Sequence, residues 1–197
     1  MGKINTDWLV PENWETNVVP DGTTDVTITG GYTHMPTIAT IQEVRDLNLS
    51  APDISNTPIL TLSGGSIQVN GNINYSGGTI DGLHGTLVMN GTDQQEIPAG
   101  LFAGNALNNL VIANNTAQGV TSNGALDIYQ SLTFTATGKR FNTSDSLTFK
   151  STDTVTAWLG NMTGKLITGK ATVERRIPNH SKTWQFLSTP TVGQTVK

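Results

Sequence analysis

Fifteen carboxylates, three histidines, four tryptophans and no cysteine are the side chains with which this chain could do chemistry. Glycoside hydrolysis asks for two carboxylates about 5–9.5 Å apart. Asp127 with Asp145, and Asp81 with Asp93, could meet that need if stacked strands brought them together. Most of the acids, however, adjoin Gly, Thr or Ser, where Asp commonly bonds its own backbone in a turn. His34, His84 and His180 lie too far apart for a metal-ligand spacing, and without cysteine no thiolate site is available. There is no G-x-S-x-G elbow, P-loop or dinucleotide fingerprint. Gly77-Gly78-Thr79-Ile80-Asp81 only brushes a calcium-binding repeat. The expectation is a chain that is not an enzyme and holds no cofactor or metal. Trp8, Trp14 and Trp158 are candidate glycan contacts, because sugar faces pack on indole rings. For Trp8 and Trp14 the competing role is a hydrophobic lid, each ring burying about 150–250 Å².

Such residues need elements to position them, and the composition favours strands. Only 13% of the residues are charged and 36% are hydrophobic, and there are 21 glycines. Thr, Val and Ile fit a pleated surface, whereas Asn and Gly supply turns. Short alternating strands return at nearly constant spacing: Leu47 and Leu49, Ile67 and Val69, Leu87 and Met89, Leu110 and Ile112, Leu132 and Phe134, Leu147 and Phe149, then Leu166 or Ile167. Turn signals such as Ser63-Gly64-Gly65, Asn70-Gly71 and Asn90-Gly91 separate them. An antiparallel meander would use Asn-Gly for hairpins and bring strands back every 8–12 residues. Recurrence near every twenty residues instead predicts an all-β, single-stranded parallel β-helix or solenoid of about seven coils. A lone coil cannot offset its backbone entropy by its own apolar burial, so stacking must stabilise it.

The ends differ from the middle. Residues 1–28 read as an N-terminal cap containing Trp8 and Trp14, and 29–170 as the solenoid. Residues 171–197, with the run Trp184–Leu187, read as its last strands or the start of a following module. Met1-Gly2-Lys3 lacks the apolar core of a signal peptide, and the native chain is expected to begin further upstream. No run of 18 apolar residues exists, which argues against membrane insertion. Residues 1–138 hold 12 acidic against 2 basic side chains, and 139–197 hold 3 against 9. In a rod that rises steadily, this becomes an acidic head and a basic tail. Scattered basic residues in an acidic chain do not suit nucleic acid.

The succession TDW, ENW, VVP, TDVTI, VRDLNLS, SGGSIQVNGN, SLTF, ATVERRIP and WQFLSTP resembles the β-solenoid regions of large secreted surface proteins of Bacteroidota. These include type IX secretion-type adhesins and gliding-related proteins. The resemblance implies an extracellular, cell-surface structural or adhesive module of a larger protein, acting as a rigid spacer or surface-contact rod. Its partners would be neighbouring modules of the same polypeptide, surface glycans or other copies of itself. A carbohydrate-binding module is the alternative, and a polysaccharide lyase or glycoside hydrolase a more distant one. The resemblance further implies O-glycosylation within Asp-Ser/Thr-apolar triplets, which marks Ser146 in Asp145-Ser146-Leu147 and Thr154 in Asp153-Thr154-Val155.

Overall fold

The computed structural model describes residues 2–53 and 55–176; Trp184–Leu187 and His180 lie outside them. After a single 3-10 turn at Pro11–Asn13, sixteen strands follow among the described residues. In chain order they are β1 (Val26–Thr29), β2 (Thr37–Ile38), β3 (Ile41–Val44), β4 (Leu47–Ser50), β5 (Ile59–Val69), β6 (Ile73–Tyr75), β7 (Thr79–Met89) and β8 (Gln95–Ile97). The remainder are β9 (Phe102–Ile112), β10 (Val120–Ser122), β11 (Leu126–Phe134), β12 (Arg140–Asn142), β13 (Leu147–Phe149), β14 (Trp158–Leu159), β15 (Leu166–Thr168) and β16 (Ala171–Val173). Every pairing between them is parallel. The chain is a β-solenoid of about six turns, where the repeat spacing suggested about seven.

Each turn has three faces. The long strands β5, β7, β9 and β11 bend midway, where the register shifts, and so supply two faces each. The third face is built from the short ladders β1-β4-β6 and β8-β10-β12-β15. Burial shows the repeat directly: β5 and β7 alternate buried and outward residues on both arms, and apart from Ile59 at the start of β5 they are exposed only near the bend. Inward side chains stack into columns. One runs Val44, Val69, Met89, Ile112, Phe134; its neighbour runs Gln42, Ile67, Leu87, Leu110, Leu132, Leu159.

The registers revise the repeat read from the sequence. Leu47 and Leu49 do not stack on Ile67 and Val69; they lie on the third face, between Val26 with Ile28 and Ile73 with Tyr75. Leu147 and Phe149 stack on Leu126 and Ile128, so the short interval from Leu132 to Leu147 is a step between two faces of the coil. Val26–Thr29 forms the first rung of the third face. Asn70-Gly71 is a corner between faces, with both amides donating to the turn below, at Val44 O and Arg45 O.

Two glycines mark where turns approach too closely for a side chain. A Cβ at Gly85 would sit 2.3 Å from the Leu62 Cβ and 2.8 Å from the Gly65 carbonyl oxygen, both fixed parts of the turn below. One at Gly82 would meet the Cδ1 atoms of Leu107 and Phe102 at 3.0 Å and the Ala106 carbonyl oxygen at 3.2 Å, a tight fit but a looser one than at Gly85. Gly85→Ala is therefore expected to cost more than Gly82→Ala, about 2–3 against about 1 kcal/mol of overpacking. Urea unfolding of the two variants measures the order, and equal costs would mean that the bend yields as readily as the side chains.

Candidate functional site

At the N-terminal end the first turn is closed from below. Asp7 bridges Thr37 in parallel; Trp8 N donates to Thr37 O, and Thr37 N donates to Thr6 O. Trp8 is 1% and Trp14 is 7% exposed, with ring centroids 4.7 Å apart in an edge-to-face arrangement. The Trp14 Nε1–H donates to the Trp8 carbonyl at 2.9 Å, whereas the buried Trp8 Nε1 has no partner. Asn13, also buried, ties the loop together: its Oδ1 accepts from the amides of Ile4 and Asn5, and its Nδ2 donates to Asn5 Oδ1 and Asp7 O. Both indoles serve as the lid. As candidate glycan contacts Trp8 and Trp14 are corrected, because rings buried in the core cannot present a face to a sugar.

Trp158 remains accessible, 49% exposed on the last described rung of the second face. It is in register with Ser131, which is itself buried and whose hydroxyl donates to Asn109 Oδ1 at 2.7 Å, so the indole continues the outward-parity row of Asn109 and Ser131. A groove of about 330 Å³ lies beside β1, lined by Trp14, Pro20, Tyr32, Asp25 and the threonines of that strand. Arg45 donates to the Asp25 carboxylate through Nε and Nη2, and this contact holds the Asp25 carboxyl below the usual range.

The carboxylates considered for catalysis have structural partners or separate settings. Asp127 lies in β11 beside Ala106 and Thr148, while Asp145 lies in the turn before β13 and accepts the Lys170 amide at 2.7 Å. Asp81 is on β7 next to Thr61, and the Asp93 carbonyl accepts from Asn114. In the basic half, Lys150–Glu174, Lys170–Asp145 and Arg176–Asp153 are ion pairs. Lys150 holds the Glu174 carboxyl below its ordinary value. Of the two modification candidates, the Ser146 hydroxyl donates to Gly124 O and Thr143 O, whereas Thr154 is exposed in the turn after Ser151.

Sequence reasoning passed over a polar seam inside the solenoid. Gln95 is 1% exposed, yet its Nε2 donates to Val69 O and Gly71 O of the turn below, and its Oε1 accepts from Gly91 N and from Asn114 Nδ2 of the turn above. Lys139 is 7% exposed and its Nζ donates to Ala113 O and Asn115 Oδ1. The signal for Gln95 was its parity with Ile97, which puts it on the inward side of β8. For Lys139→Met, which keeps the stem and orphans the Ala113 carbonyl, we expect a loss of about 1–3 kcal/mol in urea. An unchanged midpoint would show that water serves those acceptors equally well.

No family model, curated protein or solved structure matches the chain.

Proposed function

We propose that this chain is a rigid structural module of a larger extracellular protein. It holds neighbouring modules away from the cell as a spacer. The observation that carries the reading is the continuous parallel ladder, with unbroken inward columns running along the coil axis. Such a ladder transmits position along a rod of roughly 30 Å, at about 4.8 Å per turn for some six turns. The head and tail patterns quoted above favour a cell-surface protein of the Bacteroidota type, exported by the type IX route. In this reading the module has no catalytic step of its own.

The test is replacement in the parent protein. Exchanging the module for an unrelated solenoid of equal length should preserve cell-surface display and adhesion, while deleting it should abolish adhesion. Loss of adhesion on exchange would instead assign binding to this chain's own surface. The exposure of Trp158 favours that second reading, a glycan-contacting face. If it holds, Trp158→Ala should weaken glycan-array binding about tenfold while leaving the unfolding midpoint within 2 °C, since ring stacking is worth about 1 kcal/mol or more. Array binding unchanged by Trp158→Ala would remove it.

A further inference from the structure

The cap pairs with one face of the first turn and leaves another unpaired. Along β2 the segment Thr6–Trp8 supplies a rung, through Thr37 N to Thr6 O and Trp8 N to Thr37 O. Among the described residues β1 pairs with β4 alone. In a parallel ladder one residue sends its N–H and C=O to one neighbouring strand, and the next residue sends its pair to the other. Val26 N donates to Asp46 O, so Val26 and Ile28 face β4. Thr27 and Thr29 therefore aim their N–H and C=O groups the other way, toward the N-terminal end. The groove of about 330 Å³ lies on that edge: inward Val26 and outward Asp25, Thr27 and Thr29 all line it, and residues of both parities meet only along a strand's edge. Exposed edges are commonly blunted by Lys, Pro or a bulge. β1 reads Val-Thr-Ile-Thr and carries none of these.

We propose that this groove takes an extended, positively charged peptide segment of another chain, added to β1 as a further strand. Main-chain pairing with Thr27 and Thr29 supplies the affinity, as in other cases of strand addition to a sheet edge. Charge selects the occupant. Residues 1–50 hold seven acidic side chains against Lys3 and Arg45. Asp25 is taken up by Arg45, whereas Glu15, exposed on the wall of the groove, has no ion pair among the described residues. Tyr32, 40% exposed on the same groove, offers a ring face against which an ammonium or guanidinium can rest. A sugar would find the ring and the hydroxyls, but it has no use for donors and acceptors repeated at the two-residue period of a strand.

Titration of the full chain with the peptide KTVTVTK tests this. The peptide should bind with a dissociation constant below about 1 mM. At saturation it should slow amide exchange at Thr27 and Thr29 at least about fivefold without altering β9 to β13. Only alternate amides of an added strand face β1, so N-methylation of one alternating set should weaken binding at least about tenfold and methylation of the other set should leave it. Glu15→Lys, at an exposed position, should weaken binding about threefold or more at low salt, and the acidic peptide ETVTVTE should bind more weakly than KTVTVTK. Absence of binding, equal affinity of the two methylated peptides, or unchanged affinity in Glu15→Lys each overturns the proposal. Binding of cellohexaose at Tyr32 and Trp14, with the peptide silent, assigns the groove to a sugar and overturns it equally.

Discussion

Trp8→Ala is expected to lower stability by about 3–5 kcal/mol, the range for emptying a buried aromatic site. The ring is 1% exposed, packs edge-on against Trp14 and seals the first turn. Because each turn of a solenoid contacts only its neighbours, the damage should start at the cap and spread from there. Hydrogen exchange should report faster opening in β1 to β4 before β9 to β13 respond. Trp8→Phe offers a sharper comparison. It shrinks the ring but also removes the Nε1–H that has no partner in the core. Since an orphaned buried donor costs about 1–3 kcal/mol, the net loss should stay below about 2 kcal/mol. Trp14→Phe does the reverse, deleting a donor that serves the Trp8 carbonyl, and should cost more than Trp8→Phe. Urea titration of the three variants tests this ordering. If Trp8→Phe proves the costlier of the two, the indole N–H of Trp8 has a partner after all.

Gln95→Leu is the second large effect, and it acts in the middle of the rod. The substitution keeps the approximate volume but strands the Gly71 carbonyl, the Gly91 amide and one donor of Asn114. At about 1–3 kcal/mol for each group left wanting, partly relieved by relaxation, the expected loss is about 3–5 kcal/mol. Gln95→Glu adds a pH signature. A protonated carboxyl can still donate to Val69 O or Gly71 O; a carboxylate cannot, and would sit buried facing two carbonyl oxygens. The folded-state pKa of that glutamate should thus rise above the unfolded value of about 4.3. The variant's stability is then fully present below the unfolded value and is lost as pH rises through the folded one. Chemical unfolding at pH 4 and pH 7 reads the difference. A variant whose stability, relative to the parent, is the same at both would show that the seam admits water.

Interior polar groups like these were legible only in part. Gln95 carries the inward parity of its strand, but a glutamine at an inward position does not announce what it will bond. Its acceptors come from residues 24 and 26 positions earlier, and only the stacking of turns brings them near. Lys139 is a plainer case. Its sequence neighbourhood, Thr137-Gly138-Lys139-Arg140, reads as an exposed turn, yet the head of Lys139 lies inside because Ala113 and Asn115 of the preceding turn offer it oxygens.

The tryptophans show the same division. Their clustering near the start of the chain pointed to one local element, and both a sugar platform and a lid fitted the residue types. Burial decided between them, and burial belongs to the pairing of Thr6–Trp8 with Thr37, about thirty residues away. Trp158 escaped that fate because no rung among the described residues pairs with β14 on its outer side.

By itself the sequence determined the class and much of the architecture: all-β, coiled and parallel, with a distinct aromatic head. Those properties follow from local preferences, namely β-branched alternation, Asn-Gly corners and a recurrence near twenty residues, and local preferences are written residue by residue. The phase of the repeat was decided only in three dimensions. All three faces of a coil carry the same inward–outward alternation, so Leu47 and Ile67 look equivalent on paper although they lie on different faces. Hydrogen bonding between successive turns selects one register, and with it which side chains enter the core, which seal the N-terminal end and which remain at the surface.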